Sequence, residues 1–154
     1  MLHFAYGSNM HQAVMRRHAP AAEPIGAAQL TDFRFVITAD GYASIEPQRA
    51  GTVHGVLWRL TPRDRATLDI WENIAGGLYR AETLAVNQAG VRRRALVYLA
   101  RPRPAGRPKP GYMEIVIAAA QAWQLPEPYV DSLRRWLPTR GGAAGPRKLE
   151  FDQV

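Results

Sequence analysis

The sequence predicts a single α+β domain, and three observations point to it. Strand-like and helix-like runs both occur, but they do not alternate strictly, which argues against a doubly wound parallel sheet. The 154 residues, 47% of them hydrophobic, lie near the commonest domain size and suffice for one buried core. No internal repeat divides the chain, and from Gly141 onward it becomes glycine-rich. The domain is therefore expected over residues 1–140, with 141–154 as a poorly ordered C-terminal tail in which "KLEF" retains the apolar residues to dock.

Leu2 to Tyr6 reads as a strand, and from about Met10 the positions Met10, Ala13, Val14 and Arg17 share a helical face, so "GSN" between them is a strand-to-helix turn. FRFVIT, YASIE and VHGVLWRL are short β-rich runs, separated by the turn signals Asp40-Gly41 and Arg49-Ala50-Gly51. In "LTPRDRATLDIWEN", Thr61 stands as an N-cap, Pro62 suits the first helical turn and Asp64 occupies the capping-box position. That helix is expected to stop near Gly76-Gly77. YRAETLAV and RRRALVYLA then pair as a hairpin around Asn87 to Gly90. Pro102 to Pro110 is a loop, and the helix after it places Tyr112, Ile115, Val116, Ala119 and Trp123 on one face. A last helix from Pro128 presents Tyr129, Leu133, Trp136 and Leu137.

Composition removes several functional classes. Without cysteine there is no disulfide framework, no thiolate nucleophile and no sulfur-rich metal site. His3, His11, His18 and His54 are not clustered; His11 and His18 share one expected helix, and one helix face rarely holds a metal, so no metal site is expected. No run of eighteen apolar residues and no secretory layout at the start are found, which leads us to expect a cytoplasmic protein without membrane partners. The net charge of +7 is carried almost wholly by arginine, concentrated at Arg92 to Arg94 and in "RPRPAGRPK" from Arg101 to Lys109. Neither cluster interleaves aromatic residues, so we read them as solvated surface and expect no nucleic-acid partner.

The stretch "YGSN" has two readings from its residues alone. Ser8 or Asn9 caps the helix after it, or the free N–H groups of the first helical turn converge with the helix dipole on an anion. Gly7 would let a ligand approach the backbone closely, and Ser8 and Asn9 add side-chain donors. A phosphate loop is a poor match, because the stretch has one glycine and no lysine.

The company this turn keeps separates the readings. "FAYGSNM", "GVLWRLTPRDRATLDIWEN", "GLYR", "LVY" and "PGYMEIV", taken together from Leu2 to about Leu137, resemble the γ-glutamylcyclotransferase superfamily, including its bacterial avirulence-induced-gene-like members. The resemblance implies a compact mixed or barrel-like sheet flanked by helices, no cofactor, and a small-molecule γ-glutamyl substrate. It implies that the YGSN turn, with Tyr6, Gly7, Ser8, Asn9 and Met10, walls the substrate pocket and holds a carboxylate through its backbone. It nominates Glu72, closing "LDIWE", as the acid/base, and leaves Asp69 structural, paired with Arg65. Tyr79, Tyr98 and Tyr112 match the family's pocket tyrosines, and Ser44 lies on a strand the family places near the pocket. Family members usually follow the glutamate with glycine, whereas here Asn73-Ile74-Ala75 precede Gly76, so a different local backbone is expected.

The implied reaction asks for residues of these kinds. The α-amine of a γ-glutamyl group attacks its own γ-carbonyl, closing 5-oxoproline and expelling the attached amine. The substrate brings its own nucleophile, so the protein must fold the glutamyl chain and move protons. One carboxyl with a pKa above about 4.3 can do both transfers, and Ile70, Trp71 and Ile74 would supply apolar neighbours to raise it. Two other readings stand beside it: a binding module that keeps the pocket without turnover, and a nucleic-acid binder that uses the arginine clusters with strongly salt-dependent affinity.

Overall fold

A computed structural model of the chain describes residues 1–138. Five strands close a mixed barrel in the order β1-β3-β2-β4-β5: β1 (Leu2–Ala5), β2 (Glu23–Ile37), β3 (Ala43–Arg59), β4 (Tyr79–Gln88) and β5 (Val91–Ala100). Four helices flank it, α1 (Gln12–His18), α2 (Pro62–Trp71), α3 (Tyr112–Ala122) and α4 (Glu127–Arg134). This is the α+β, barrel-like architecture expected from the sequence. The short strand β1 closes the barrel, running antiparallel to β3 through Phe4↔Leu57 and parallel to β5 through His3↔Leu96. The expected tail, residues 141–154, lies outside the described residues.

The β-rich runs join into longer strands than their turn signals suggest. YASIE and VHGVLWRL belong to one strand, β3, because Arg49-Ala50-Gly51 forms a bulge instead of a turn. Thr31 pairs with Thr52 but Phe33 with Pro47, so Asp32 faces the extra residues. Asp32 and Ala50 take φ of 66° and 61°, and the Asp32 carboxylate accepts from Ala50 N at 3.0 Å, which holds the left-handed backbone in place. The first half of β2, EPIGAAQLT, has little strand propensity; its antiparallel ladder with β3, not its composition, makes it a strand. The hairpin from β4 to β5 turns at Ala89 and Gly90, both at positive φ, and carries Arg92 to Arg94 on its outer end.

Phe4, Val53, Val56, Leu57 and Trp58 from the β1–β3 seam, with Val97 from β5, form the centre of the core. Each large side chain removed from water there contributes about 1.5–3 kcal/mol. Against this core, α3 buries Tyr112, Met113, Val116, Ile117, Ala119 and Ala120, a wider face than the five positions its periodicity suggests. Helix α4 begins one residue before Pro128 and buries Tyr129, Val130 and Leu133, while Trp136 and Leu137 come after its end.

Helix α2 carries Glu72 at its end. Its start is the expected capping box: Thr61 Oγ1 accepts from Asp64 N at 3.1 Å, and the Asp64 carboxylate accepts from Thr61 N at 3.5 Å, with Pro62 in the first turn. Thr61→Ala is expected to lower the unfolding free energy by about 1 kcal/mol, measured by urea denaturation at unchanged m-value. The helix ends at Trp71, earlier than Gly76-Gly77, with Glu72 as its C-cap. Asn73 comes next at φ 51°, left-handed backbone that glycine prefers and asparagine tolerates. Residue 73 thus makes the turn without glycine, and the chain folds back through Ile74 N to Asp69 O and Leu78 N to Asn73 O, both 3.1 Å.

Candidate active site

The strand-to-helix turn at the end of β1 differs from its expected form. No α-helix starts at Met10; Ser8–Met10 form one 3-10 turn, and α1 starts two residues later behind His11, whose side chain caps it by accepting from Ala13 N at 3.2 Å. Met10 N and His11 N are spent on the carbonyls of Gly7 and Ser8. The dipole of α1 therefore does not act at Ser8 and Asn9, and any anion there is held by the turn's own groups. The buried face also shifts, to Met10, Val14 and Met15, leaving Ala13 and Arg17 outside.

This turn opens on a cavity of about 290 Å3. Of the residues nominated from the sequence, Tyr6, Gly7, Ser8, Asn9, Glu72, Tyr79, Tyr98 and Tyr112 all line it. They arrive from distant parts of the chain: the β1 end, the α2 C-cap, the start of β4 and the end of β5 at the end of the hairpin away from its turn, and the first residue of α3. Met10 and Ser44 are not among the lining residues. Met10 is fully buried beneath the turn, where its carbonyl accepts from Trp123 Nε1 at 2.8 Å, tying α3 to the turn. Ser44 is buried in β3, and its Oγ accepts from Ala100 N at 2.9 Å, so its part is to join β3 to the end of β5.

The four tyrosines are not equivalent. Tyr6 donates to the Tyr98 carbonyl, Tyr79 to the Ala43 carbonyl at 2.8 Å, and Tyr98 to Asp69 Oδ1 at 2.6 Å. Their hydroxyls fix the walls. The Tyr112 oxygen instead accepts, from Ala43 N at 3.2 Å and from the Ser8 backbone N–H, so its own proton remains to be given. Burial raises the pKa of all four, that of Tyr112 to about 12, and keeps them protonated at neutral pH.

Gly7 has no left-handed backbone to justify it, its φ being −109°. A Cβ on it would stand 2.8 Å from the Tyr112 oxygen and 3.2 Å from Ala43 Cβ. The glycine makes room for Tyr112 as well as for any ligand.

Glu72 is the acid of the cavity. The residue as a whole keeps some exposure, but its carboxyl is turned away from water, and that burial raises its pKa to about 7. Asn9 Nδ2 donates to its Oε1 at a long 3.5 Å. Asp69, three residues earlier, is engaged elsewhere: Arg65 Nε lies 3.3 Å from its carboxylate and the Tyr98 hydroxyl donates to it. The expected Arg65–Asp69 pair is present, and through Tyr98 it braces one wall of the cavity. His3, Tyr42, Ala43, Trp71 and Leu78 also line the cavity and were not nominated from the sequence. Leu78 and Trp71 lie inside the quoted motifs beside Tyr79 and Glu72, whereas nothing local marks His3 or Tyr42.

A closed five-strand mixed barrel with an acid-bearing cavity between its β1 end and the close of α2 defines a protein of the γ-glutamylcyclotransferase-like fold. The chain belongs to the AIG2-like family, whose model matches residues 52–133. Curated relatives named gamma-glutamylcyclotransferase include the Homo sapiens protein, 27% identical over 144 residues, spanning 86% of this chain and 77% of the relative, and the Bos taurus protein, 27% identical over 86% and 76%. Among solved structures, one titled "Gamma-glutamyl cyclotransferase" superposes with a TM-score of 0.87 at 24% identity, covering 99% of this chain and 96% of its own. An uncharacterized protein from Homo sapiens superposes with a TM-score of 0.86 at 25% identity, covering 99% and 95%. Among the described residues no helix is long and apolar enough to cross a membrane.

Proposed function

We propose that the chain is a γ-glutamylcyclotransferase-type enzyme, releasing 5-oxoproline and a free amine or amino acid from a γ-glutamyl compound. The observation that carries this reading is a carboxyl with a pKa of about 7, at Glu72, in a cavity walled by the YGSN turn. The names of the curated relatives support it.

In this reading the ligand's α-carboxylate lies against Gly7 to Asn9. The backbone N–H of Asn9 and the Tyr112 hydroxyl are its donors, since Met10 N and His11 N are already spent on carbonyls and Ser8 N is turned to the Tyr112 oxygen. The glutamyl chain folds back so that its α-ammonium reaches Glu72, whose carboxylate takes one proton. The freed amine attacks the γ-carbonyl carbon, a C–N bond forms, and the carbonyl oxygen takes up negative charge. As the carbonyl re-forms, the ring nitrogen gives up a second proton and the bond to the attached nitrogen breaks. The two protons shed by the α-nitrogen pass in turn through Glu72 to that nitrogen, which leaves as an ammonium, and Glu72 is left as the carboxylate it began as. Atoms and charge balance without a cofactor or a covalent enzyme intermediate. A base of pKa near 7 is half ionised at neutral pH, which suits a group that must both take and give a proton. Trp71 and Leu78 keep water from the reacting centre, and cyclisation within one held substrate draws its rate from orientation.

Incubating the purified protein with a panel of γ-glutamyl amino acids and γ-glutamyl amines, with mass-spectrometric detection of 5-oxoproline, tests the reading. Release from at least one compound, dependent on protein, is the expected result. Binding of 5-oxoproline with no release from any compound would leave a binding module, and absence of both would remove γ-glutamyl chemistry altogether.

A further inference from the structure

One side chain on the cavity wall has a nitrogen spent and a nitrogen waiting. His3 sits on β1 opposite Leu96 of β5, and its Nδ1 lies 3.0 Å from the Leu96 carbonyl oxygen. A carbonyl only accepts, so Nδ1 carries the hydrogen and Nε2 carries a lone pair. The ring is further fixed edge-on to Tyr98, itself a lining residue, at 5.4 Å between centroids and 63° between planes. Burial, with the charge of Arg65 added, pushes the His3 pKa down to about 4, and the imidazole is neutral at physiological pH. Its Nε2 is buried without a partner among the described residues, on a side chain that is 2% exposed and borders the cavity. A buried acceptor without a donor is a cost that folding alone leaves standing.

We propose that His3 Nε2 is a ligand-binding acceptor of this cavity, taking a hydrogen bond from the nitrogen that becomes the lactam nitrogen of 5-oxoproline. The inference rests on the γ-glutamyl reading and extends the site to a residue outside the YGSN turn and Glu72. The attacking nitrogen enters with three N–H bonds. Glu72 removes one proton, and the N–H groups left in an enclosed cavity need acceptors. The hydroxyls of Tyr6, Tyr79 and Tyr98 give their protons to the chain, and among the described residues two side-chain acceptors of the lining stand without a donor, Asn9 Oδ1 and His3 Nε2. Of the two, His3 Nε2 has its orientation set by the bond of Nδ1 to the Leu96 carbonyl. A ligand with oxygen at that position would set lone pair against lone pair. His3 thus makes the cavity selective for nitrogen over oxygen at the ring-closing atom.

The test uses two probes of one shape: 5-oxoproline, whose ring carries N–H, and 5-oxotetrahydrofuran-2-carboxylate, whose ring carries oxygen. In calorimetry the wild-type protein should bind the lactam about tenfold or more tighter than the lactone, the ratio one hydrogen bond supplies. In protein labelled with 15N at histidine, the lactam should shift the Nε2 resonance of His3 upfield and the lactone should not. This second measurement needs no variant and so does not depend on a substitution folding. His3→Phe, which keeps a buried ring, should bring the lactam preference below about threefold, while Glu72→Gln should retain most of it. Lactam binding with an unmoved Nε2 resonance, or a preference that survives His3→Phe, overturns the role of His3 and leaves the γ-glutamyl reading standing. A wild-type protein that binds neither probe and releases no 5-oxoproline overturns that reading, and this inference with it.

Discussion

Glu72→Gln should leave the fold intact and lower the rate of 5-oxoproline release by a hundredfold or more, because the amide keeps the shape of the carboxyl and cannot take a proton. Its Oε1 can still accept from Asn9, so ligand affinity should change little and the loss should fall on kcat. In the wild-type protein, kcat/KM should rise with pH through a pKa near 7 as the Glu72 carboxylate forms, and this limb should vanish in the residual activity of the variant. Stability should move the opposite way. The folded state holds the Glu72 proton up to about pH 7, the unfolded state only up to about 4.5, so the stabilising contribution is complete below 4.5 and is lost as pH rises through 7. Relative to wild type, Glu72→Gln should therefore gain stability between those values, by up to about 3 kcal/mol at pH 8, read by urea denaturation at several pH values. A variant that keeps more than about a tenth of the wild-type rate would rule out an essential proton-transfer role.

What the sequence made legible was whatever is written in neighbouring residues. Thr61, Pro62 and Asp64 specify a helix start by themselves, and the structure has the capping box. The two β-rich runs about Asn87 to Gly90 are equally local, and the hairpin is there. The β2–β3 ladder was hidden because its cause is distant. Glu23 to Thr31 is rich in alanine, with a proline and a glycine, and becomes strand only by pairing with residues 52–59. Arg49-Ala50-Gly51 has the composition of a turn and lies in a bulge, because Asp32 opposite it supplies the carboxylate that stabilises Ala50. The departure at Asn73 resolves in the same terms, since asparagine tolerates the left-handed φ that glycine would otherwise supply. At the site, the motifs named eight lining residues, yet not what their polar groups do. That three tyrosine hydroxyls are committed to the chain and one is not depends on where Ala43, Asp69 and the Tyr98 carbonyl fall in space. His3 was invisible for the same reason, its partner Leu96 being set by the parallel closure of the barrel.

Gly7→Val should remove ligand binding and activity together, by about a hundredfold, while Ser8→Ala should cost less than tenfold if backbone N–H groups are the main donors. The reason lies in Tyr112. The first added carbon at residue 7 stands 2.8 Å from the Tyr112 oxygen, and the branched carbons of valine must displace either that hydroxyl or the ligand. Displacing the hydroxyl breaks its bond from Ala43 N and moves the donor intended for the carboxylate, at an overpacking cost of about 1–3 kcal/mol to the fold. The pair can be separated from general damage by a cycle with smaller changes. Gly7→Ala alone should destabilise the protein and weaken 5-oxoproline binding; Tyr112→Phe removes the oxygen that the new methyl meets. Combined, the two should cost less stability than their sum, with a coupling of about 1 kcal/mol in urea denaturation, because the clash no longer exists. Ligand binding should not recover in the double variant, since the hydroxyl donor is gone with the clash. Additive stability effects would show that residue 7 and the Tyr112 hydroxyl do not compete for the same space. Gly7→Val that binds 5-oxoproline as tightly as wild type, with thermal unfolding confirming the fold, would make the YGSN turn a structural feature alone and move the carboxylate site elsewhere in the cavity.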